Sequence, residues 1–224
     1  MHIGLIGGIG PAATEFYYRG LIDRHAASGT TLDLTIVHAD AREMVRNLAN
    51  RDAARQAKVF ATLVERLAAA GARTAAVTSM SGHFCIDELS AQVPLPMLNA
   101  LPEVGAEIKG RGLKAVGLIG SRMVMESQLY GSLSPYHVIL PEGDEFEDVQ
   151  RNYVDMAIAG RVNDEQRRVF FDAGRRLSDR GAEALLLGGT DLFLAFEGRQ
   201  CGFPVIDLAA VHVEAIFRES MATR

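Results

Sequence analysis

The chain has 224 residues, of which 48 % are hydrophobic and 23 % charged, and a formal net charge of −5. That length supports one large domain or two compact halves, and the basic residues are scattered rather than gathered into a nucleic-acid-binding stripe. No apolar run reaches the length of a membrane span. Two cysteines, Cys85 and Cys201, fit a reducing compartment better than a disulfide scaffold. The start, Met1-His2-Ile3-Gly4, runs directly into an apolar strand without the basic region of a signal peptide, so a cytoplasmic protein is expected.

In chain order, apolar runs at 1–6, 32–38, 74–78, 114–119 and 184–187 read as buried strands. The stretches 11–25, 52–70, 102–109, 146–159, 164–180 and 209–220 read as helices. Continuously apolar strands alternating with helices predict an α/β fold whose parallel sheets are covered on both faces.

The chain also repeats itself. Gly4-Leu5-Ile6-Gly7 returns as Gly117-Leu118-Ile119-Gly120, and Val59-Phe60 precedes Gly71-Ala72 by the spacing with which Val169-Phe170 precedes Gly181-Ala182. Gly4 to Gly71 is 67 residues and Gly117 to Gly181 is 64. This predicts two pseudo-symmetric halves with a cleft between them: residues 1–98 with 209–224, and residues 99–208. The seam falls near Pro94 to Pro102, where three prolines cluster, and the last helix returns to the first half.

Parallel sheets bind ligands beyond the carboxyl ends of their strands, so the turns after the repeated strands are the places to look. The first, Gly7-Gly8-Ile9-Gly10-Pro11, lacks the spacing of a dinucleotide or phosphate loop. Gly8 and Gly10 instead suit close approach of a carboxylate or simple tight packing. The second, Thr78-Ser79-Met80-Ser81-Gly82-His83, offers hydroxyls and a histidine. The third opens Gly120-Ser121-Arg122. The fourth, Gly188-Gly189-Thr190-Asp191, follows Gly181 as the second follows Gly71, which sets Gly189 in the place of Ser79.

Taken together these segments resemble the aspartate/glutamate racemase superfamily, in its aspartate racemase-like branch, over nearly the whole chain. The resemblance is carried by Ile3 through Thr14, by the turn ending in His83, and by Leu118 through Tyr130. It continues through Gly181 to Asp191 and through Pro204-Val205-Ile206-Asp207 with His212. It implies cofactor-free exchange of an α-proton between two cysteines on opposite faces of a small acidic amino acid, in a homodimer; no metal is expected, because the six histidines show no ligand spacing with carboxylates or cysteines. Two groups are needed because inversion takes a proton from one face and returns one to the other.

Here the cysteine positions read Ser79 and Gly189. Met80 stands where the family carries asparagine, and Asp191 where it carries glutamate. The resemblance therefore points to Ser79, His83 and Asp191 as the groups available for chemistry. Gly8, Gly10, Met80, Ser81, Ser121 and Thr190 would line the ligand. Arg51 and Arg161 would pair its carboxylates, as guanidinium forks do. Cys85 reads as a buried structural thiol inside the next helix, and Cys201 as a loop residue. Three readings remain open: an isomerase of a small acidic amino acid or related carboxylate, a one-base lyase on the same scaffold, and a silent carboxylate-binding protein.

Overall fold

A computed structural model describes residues 1–222. The chain divides into two compact units, Met1–Ala100 with His212–Arg224, and Leu101–Val211. The divisions fall two residues after the expected first boundary and three after the second.

The first unit holds β1 (Ile3–Gly7), α1 (Pro11–Ser28), β2 (Leu34–His38), α2 (Ala41–Ala49), α3 (Ala53–Ala69) and β3 (Thr74–Val77). A 3-10 turn (Ser81–Cys85), α4 (Ile86–Ser90) and β4 (Met97–Leu98) follow. Helix α5 (Ala100–Gly110) leads into the second unit, which holds β5 (Ala115–Ile119), α6 (Arg122–Glu126), β6 (His137–Ile139), α7 (Asp144–Ala159) and α8 (Asp164–Asp179). It continues with β7 (Ala184–Leu187), a 3-10 turn (Thr190–Leu192), α9 (Phe193–Phe196) and β8 (Val205–Asp207). The final helix, α10 (Leu208–Met221), ends in the first unit.

Each unit has one four-stranded sheet, in the orders β2-β1-β3-β4 and β6-β5-β7-β8. Every pairing is parallel, so the fold is α/β with the same topology used twice. The central strands β1, β3 and β7 are buried along their whole length, which explains their unbroken apolar sequences. The repeated glycine of β1 and β5 has a packing reason. A Cβ on Gly4 would lie 2.8 Å from Leu67 of α3, and one on Gly117 would lie 3.1 Å from Leu177 of α8. Each glycine lets a helix lie close on its sheet.

The returning helix α10 is bound to the first unit by named contacts. Arg24 pairs with Glu214 at 2.8 Å, His25 bonds to Ser220 at 2.9 Å, and the N-terminal ammonium donates to the Ser220 carbonyl at 2.7 Å. Strands β4 and β6 and helix α2 were not expected from the sequence. The strands have two and three residues at sheet edges, too few for a period to register. Cys85 closes the 3-10 turn rather than lying inside a helix.

Candidate active site

The four turns sit at the carboxyl ends of β1, β3, β5 and β7. The backbone fixes how the two halves correspond. Thr78 N–H donates to the Ile6 carbonyl at 3.0 Å, and Gly188 N–H donates to the Ile119 carbonyl at 2.8 Å. The next residues along, Ser79 and Gly189, therefore occupy equivalent places.

In the Gly7–Gly10 turn, Thr14 does the tying. Its hydroxyl accepts from Gly8 N–H at 2.9 Å and donates to the Gly10 carbonyl at 3.0 Å. Gly8 has φ 89°, and a Cβ there would lie 2.3 Å from the His38 ring. Only glycine meets both demands. Its amide is already bonded to Thr14, and Gly10 caps α1 from the backbone with Pro11 following.

Ser79 is buried, and its hydroxyl accepts from Gly82 N–H at 3.2 Å. The imidazole of His83 sits beneath this turn. Its Nε2 accepts from Ala100 N–H at 3.2 Å, so the ring proton is on Nδ1 and donates to the Ser79 carbonyl at 2.7 Å. His212 holds the opposite tautomer: Nε2–H donates to the Leu98 carbonyl at 3.0 Å and Nδ1 accepts from the Tyr17 hydroxyl at 3.0 Å. The two rings meet edge-on with centroids 5.4 Å apart.

Burial pushes His83 down to about 4, against the bond to Ser79. Burial, with the neighbouring His83, pushes His212 down to about 3. Both are neutral at physiological pH with both ring nitrogens bonded inside the protein. His83 therefore holds Ser79 in place and has no nitrogen open for acid–base work in this arrangement. Cys85 lies under the same turn, its thiol pushed up to about 12 by burial and then by Glu88. It is a thiol, not a thiolate, at neutral pH. Met80 and Ser81 are buried beside it.

The second half presents a different surface. Thr190 and Asp191 are buried in the turn after Gly189, and Ser121 is buried at the start of α6. Over Gly189 lies Tyr153 of α7, whose ring carbons would be 2.1 and 2.4 Å from a Cβ at that glycine. Val149, Tyr153 and Met156 form the buried stripe of α7. The helix is tied to α6 by Arg122, whose amide donates to Gln150 Oε1 at 2.5 Å and whose guanidinium grips Glu147 at 2.6 Å.

Burial first, then the charges of Asp191 and Tyr130, push the Tyr153 phenol well above its ordinary range. Tyr130 stands in a left-handed turn of three consecutive non-glycine residues, Gln128, Leu129 and Tyr130, with φ between 47° and 58°. Such conformations cost about 1 kcal/mol each and concentrate at functional sites. Neither tyrosine was a candidate from the sequence. The only signal for Tyr153 is its inward place in the helical period of α7.

Of the other candidates, Arg51 and Arg161 are exposed, each at the turn ahead of α3 or α8. Arg51 has φ 53°. Asp207 caps α10, accepting from Ala209 N–H at 2.8 Å, and burial pushes its carboxyl up to about 6. Cys201 is half-buried in a loop. Among the described residues no group of three potential metal ligands comes together, and no helix is long and apolar enough to cross a membrane.

Two repeats of one parallel α/β unit, each with a polar turn after its second central strand, make an amino-acid racemase type of fold. A profile of the Asp/Glu/hydantoin racemase family matches residues 6–216, and the chain belongs to that family. It is similar to a candidate Asp/Glu racemase from Yersinia pestis, with 26 % identity, TM-score 0.86, and 99 % of this chain and 100 % of that one covered. It shares its fold with an aspartate racemase homologue from Pyrococcus horikoshii, at 23 % identity and TM-score 0.80, with 99 % of both chains covered. The fold is also that of a glutamate racemase from Francisella tularensis in complex with D-glutamate, at 16 % identity and TM-score 0.70, covering 100 % of this chain and 84 % of that one.

Proposed function

We propose that the chain is a cofactor-independent isomerase of a small acidic amino acid or related carboxylate that works without the family's paired thiols. The observation supporting this is the register of the two repeated turns, which sets Ser79 and Gly189 at equivalent places in a racemase-family chain. Ser79 supplies a buried hydroxyl held by Gly82 and, through its carbonyl, by His83. Asp191 supplies a carboxylate beside the second turn. Gly8, Gly10, Met80, Ser81, Ser121 and Thr190 line the ligand, and Arg51 and Arg161 meet its carboxylates. In this reading His83 is a positioning residue rather than an acid or base. In this reading the protein is a cytoplasmic homodimer, as the family resemblance implies.

A second reading, a one-base lyase, is favoured by the asymmetry of the turns, because removing a proton from one face needs no group at Gly189. Incubation with L- and D-aspartate and glutamate in deuterated water separates the two. Deuterium at Cα with inversion, read by proton NMR and chiral chromatography, is the expected result. Exchange with retained configuration supports one-base chemistry. Ligand-induced thermal stabilisation with no exchange identifies a binding protein and overturns both. Light scattering on the eluted peak tests the dimer.

A further inference from the structure

We propose that Tyr153 is the specificity-determining residue of the second half. Its ring takes the volume a side chain at position 189 would need, and its neutral hydroxyl is the donor this half offers to a ligand carboxylate. The proposal rests on the carboxylate site proposed above.

The steric part follows from distances. A Cβ at Gly189 would stand 2.1 Å from Tyr153 Cε2, 2.4 Å from Cζ and 2.8 Å from the hydroxyl oxygen, far inside van der Waals contact. The ring has only two torsions with which to escape. It is 7 % exposed, sits between Val149 and Met156 in the buried stripe of α7, and rides on a helix tied down through Gln150 and Glu147. A thiol at 189 and this tyrosine cannot share the space. The second half has thus exchanged one side chain on the turn for another delivered from α7.

The chemical part follows from the surroundings. The ionisable groups facing Tyr153 are Asp191 of the same turn and Tyr130 of the left-handed turn after α6, and both oppose a phenolate. The hydroxyl therefore stays protonated across the neutral range. It is a poor base and a steady hydrogen-bond donor, suited to an acceptor that carries negative charge.

Titration calorimetry with L- and D-aspartate, L- and D-glutamate and succinate tests this without requiring turnover. Tyr153→Phe keeps the ring and should keep the melting temperature, while weakening carboxylate binding by about 10-fold or more. Wild-type affinity for succinate, which carries no ammonium group, should stay flat from pH 7 to pH 10, because the phenol keeps its proton across that range. Unchanged affinity in Tyr153→Phe overturns the donor role even where Cα exchange establishes the function. Binding that depends on the phenol without any exchange overturns the isomerase reading and leaves this one standing. Wild-type protein that binds none of the five compounds overturns both. For the steric part, Gly189→Cys and Tyr153→Ala should each lower the melting temperature, and the variant carrying both should lose less than the sum of the two single losses. Strictly additive losses overturn the shared volume.

Discussion

The two turns that should carry the chemistry have the same backbone register and opposite contents. In the first half the turn side chain is Ser79, and the space beneath it is filled by a neutral histidine bonded to the turn itself. In the second the equivalent residue, Gly189, has no side chain, and the space above it is filled by a tyrosine from a neighbouring helix. A duplicated fold preserves strand order and the glycines that seat its helices far more strictly than it preserves the groups at its turns. The strands are tied to one another by ladder hydrogen bonds, whereas a turn residue answers only to local space.

The largest expected difference between the halves is acid sensitivity. His83 and His212 titrate near 6.5 when unfolded but at about 4 and about 3 in the folded protein. The folded state therefore resists protonation that the unfolded state accepts. Stability from the pair is complete above pH 6.5 and is lost as pH falls toward 4 and then 3. The loss is on the order of 3 kcal/mol for His83 alone. Asp207, raised to about 6, acts in the opposite sense, favouring the fold as pH falls from 6 toward 4, and offsets part of this. Urea melts at pH 7 and pH 4.5 measure the net effect. Hydrogen exchange should show the first unit opening at the higher pH of the two. Equal loss in both units would break the comparison.

How much of this was readable in the sequence depends on range. The central strands and long helices follow from local periodicity, and the duplication is legible in the Gly4/Gly117 repeat. The edge strands Met97–Leu98 and His137–Ile139 are too short to carry a period. Helix α2 hides because its buried residues, Met44 and Asn47, include one polar residue, which bonds to Gln56 at 2.9 Å. The site divides the same way. Ser79, Gly189 and their turns were visible as repeats, but the role of His83 depends on a bond to Ala100, 17 residues on. Tyr153 meets Gly189 across 36 residues, and no spacing rule predicts that meeting.

A smaller effect tests the turns directly. Ser79→Cys replaces one small buried side chain by another and should cost less than about 1 kcal/mol. Gly189→Cys must displace Tyr153 and should cost about 1–3 kcal/mol. A gain in racemisation over the wild-type rate that is abolished by thiol alkylation should appear only in the triple variant that also carries Tyr153→Ala. Such a thiol-dependent gain in the double variant alone would show that the tyrosine moves aside easily. Where the halves agree they should respond in the same direction: Gly4→Ala and Gly117→Ala press on Leu67 at 2.8 Å and on Leu177 at 3.1 Å, and both should lower the unfolding free energy.

The smallest expected effect separates binding from folding at Arg51. This residue holds φ 53° at the turn between α2 and α3, a region where a side chain is strained and glycine is not. On backbone grounds Arg51→Gly should be neutral or stabilise by up to about 1 kcal/mol. If the guanidinium meets the ligand carboxylate, the same substitution should raise KM or Kd by about 10-fold or more, while Arg51→Lys, which lacks the bidentate fork, should fall between. The counterpart Arg161 follows a glycine already in the left-handed conformation, Gly160 with φ 62°, so Arg161→Gly should bring no backbone gain. A loss of affinity at Arg51 with retained or increased stability would assign the residue to the ligand. Unchanged affinity in both variants would leave the carboxylate to the buried hydroxyls of the two turns.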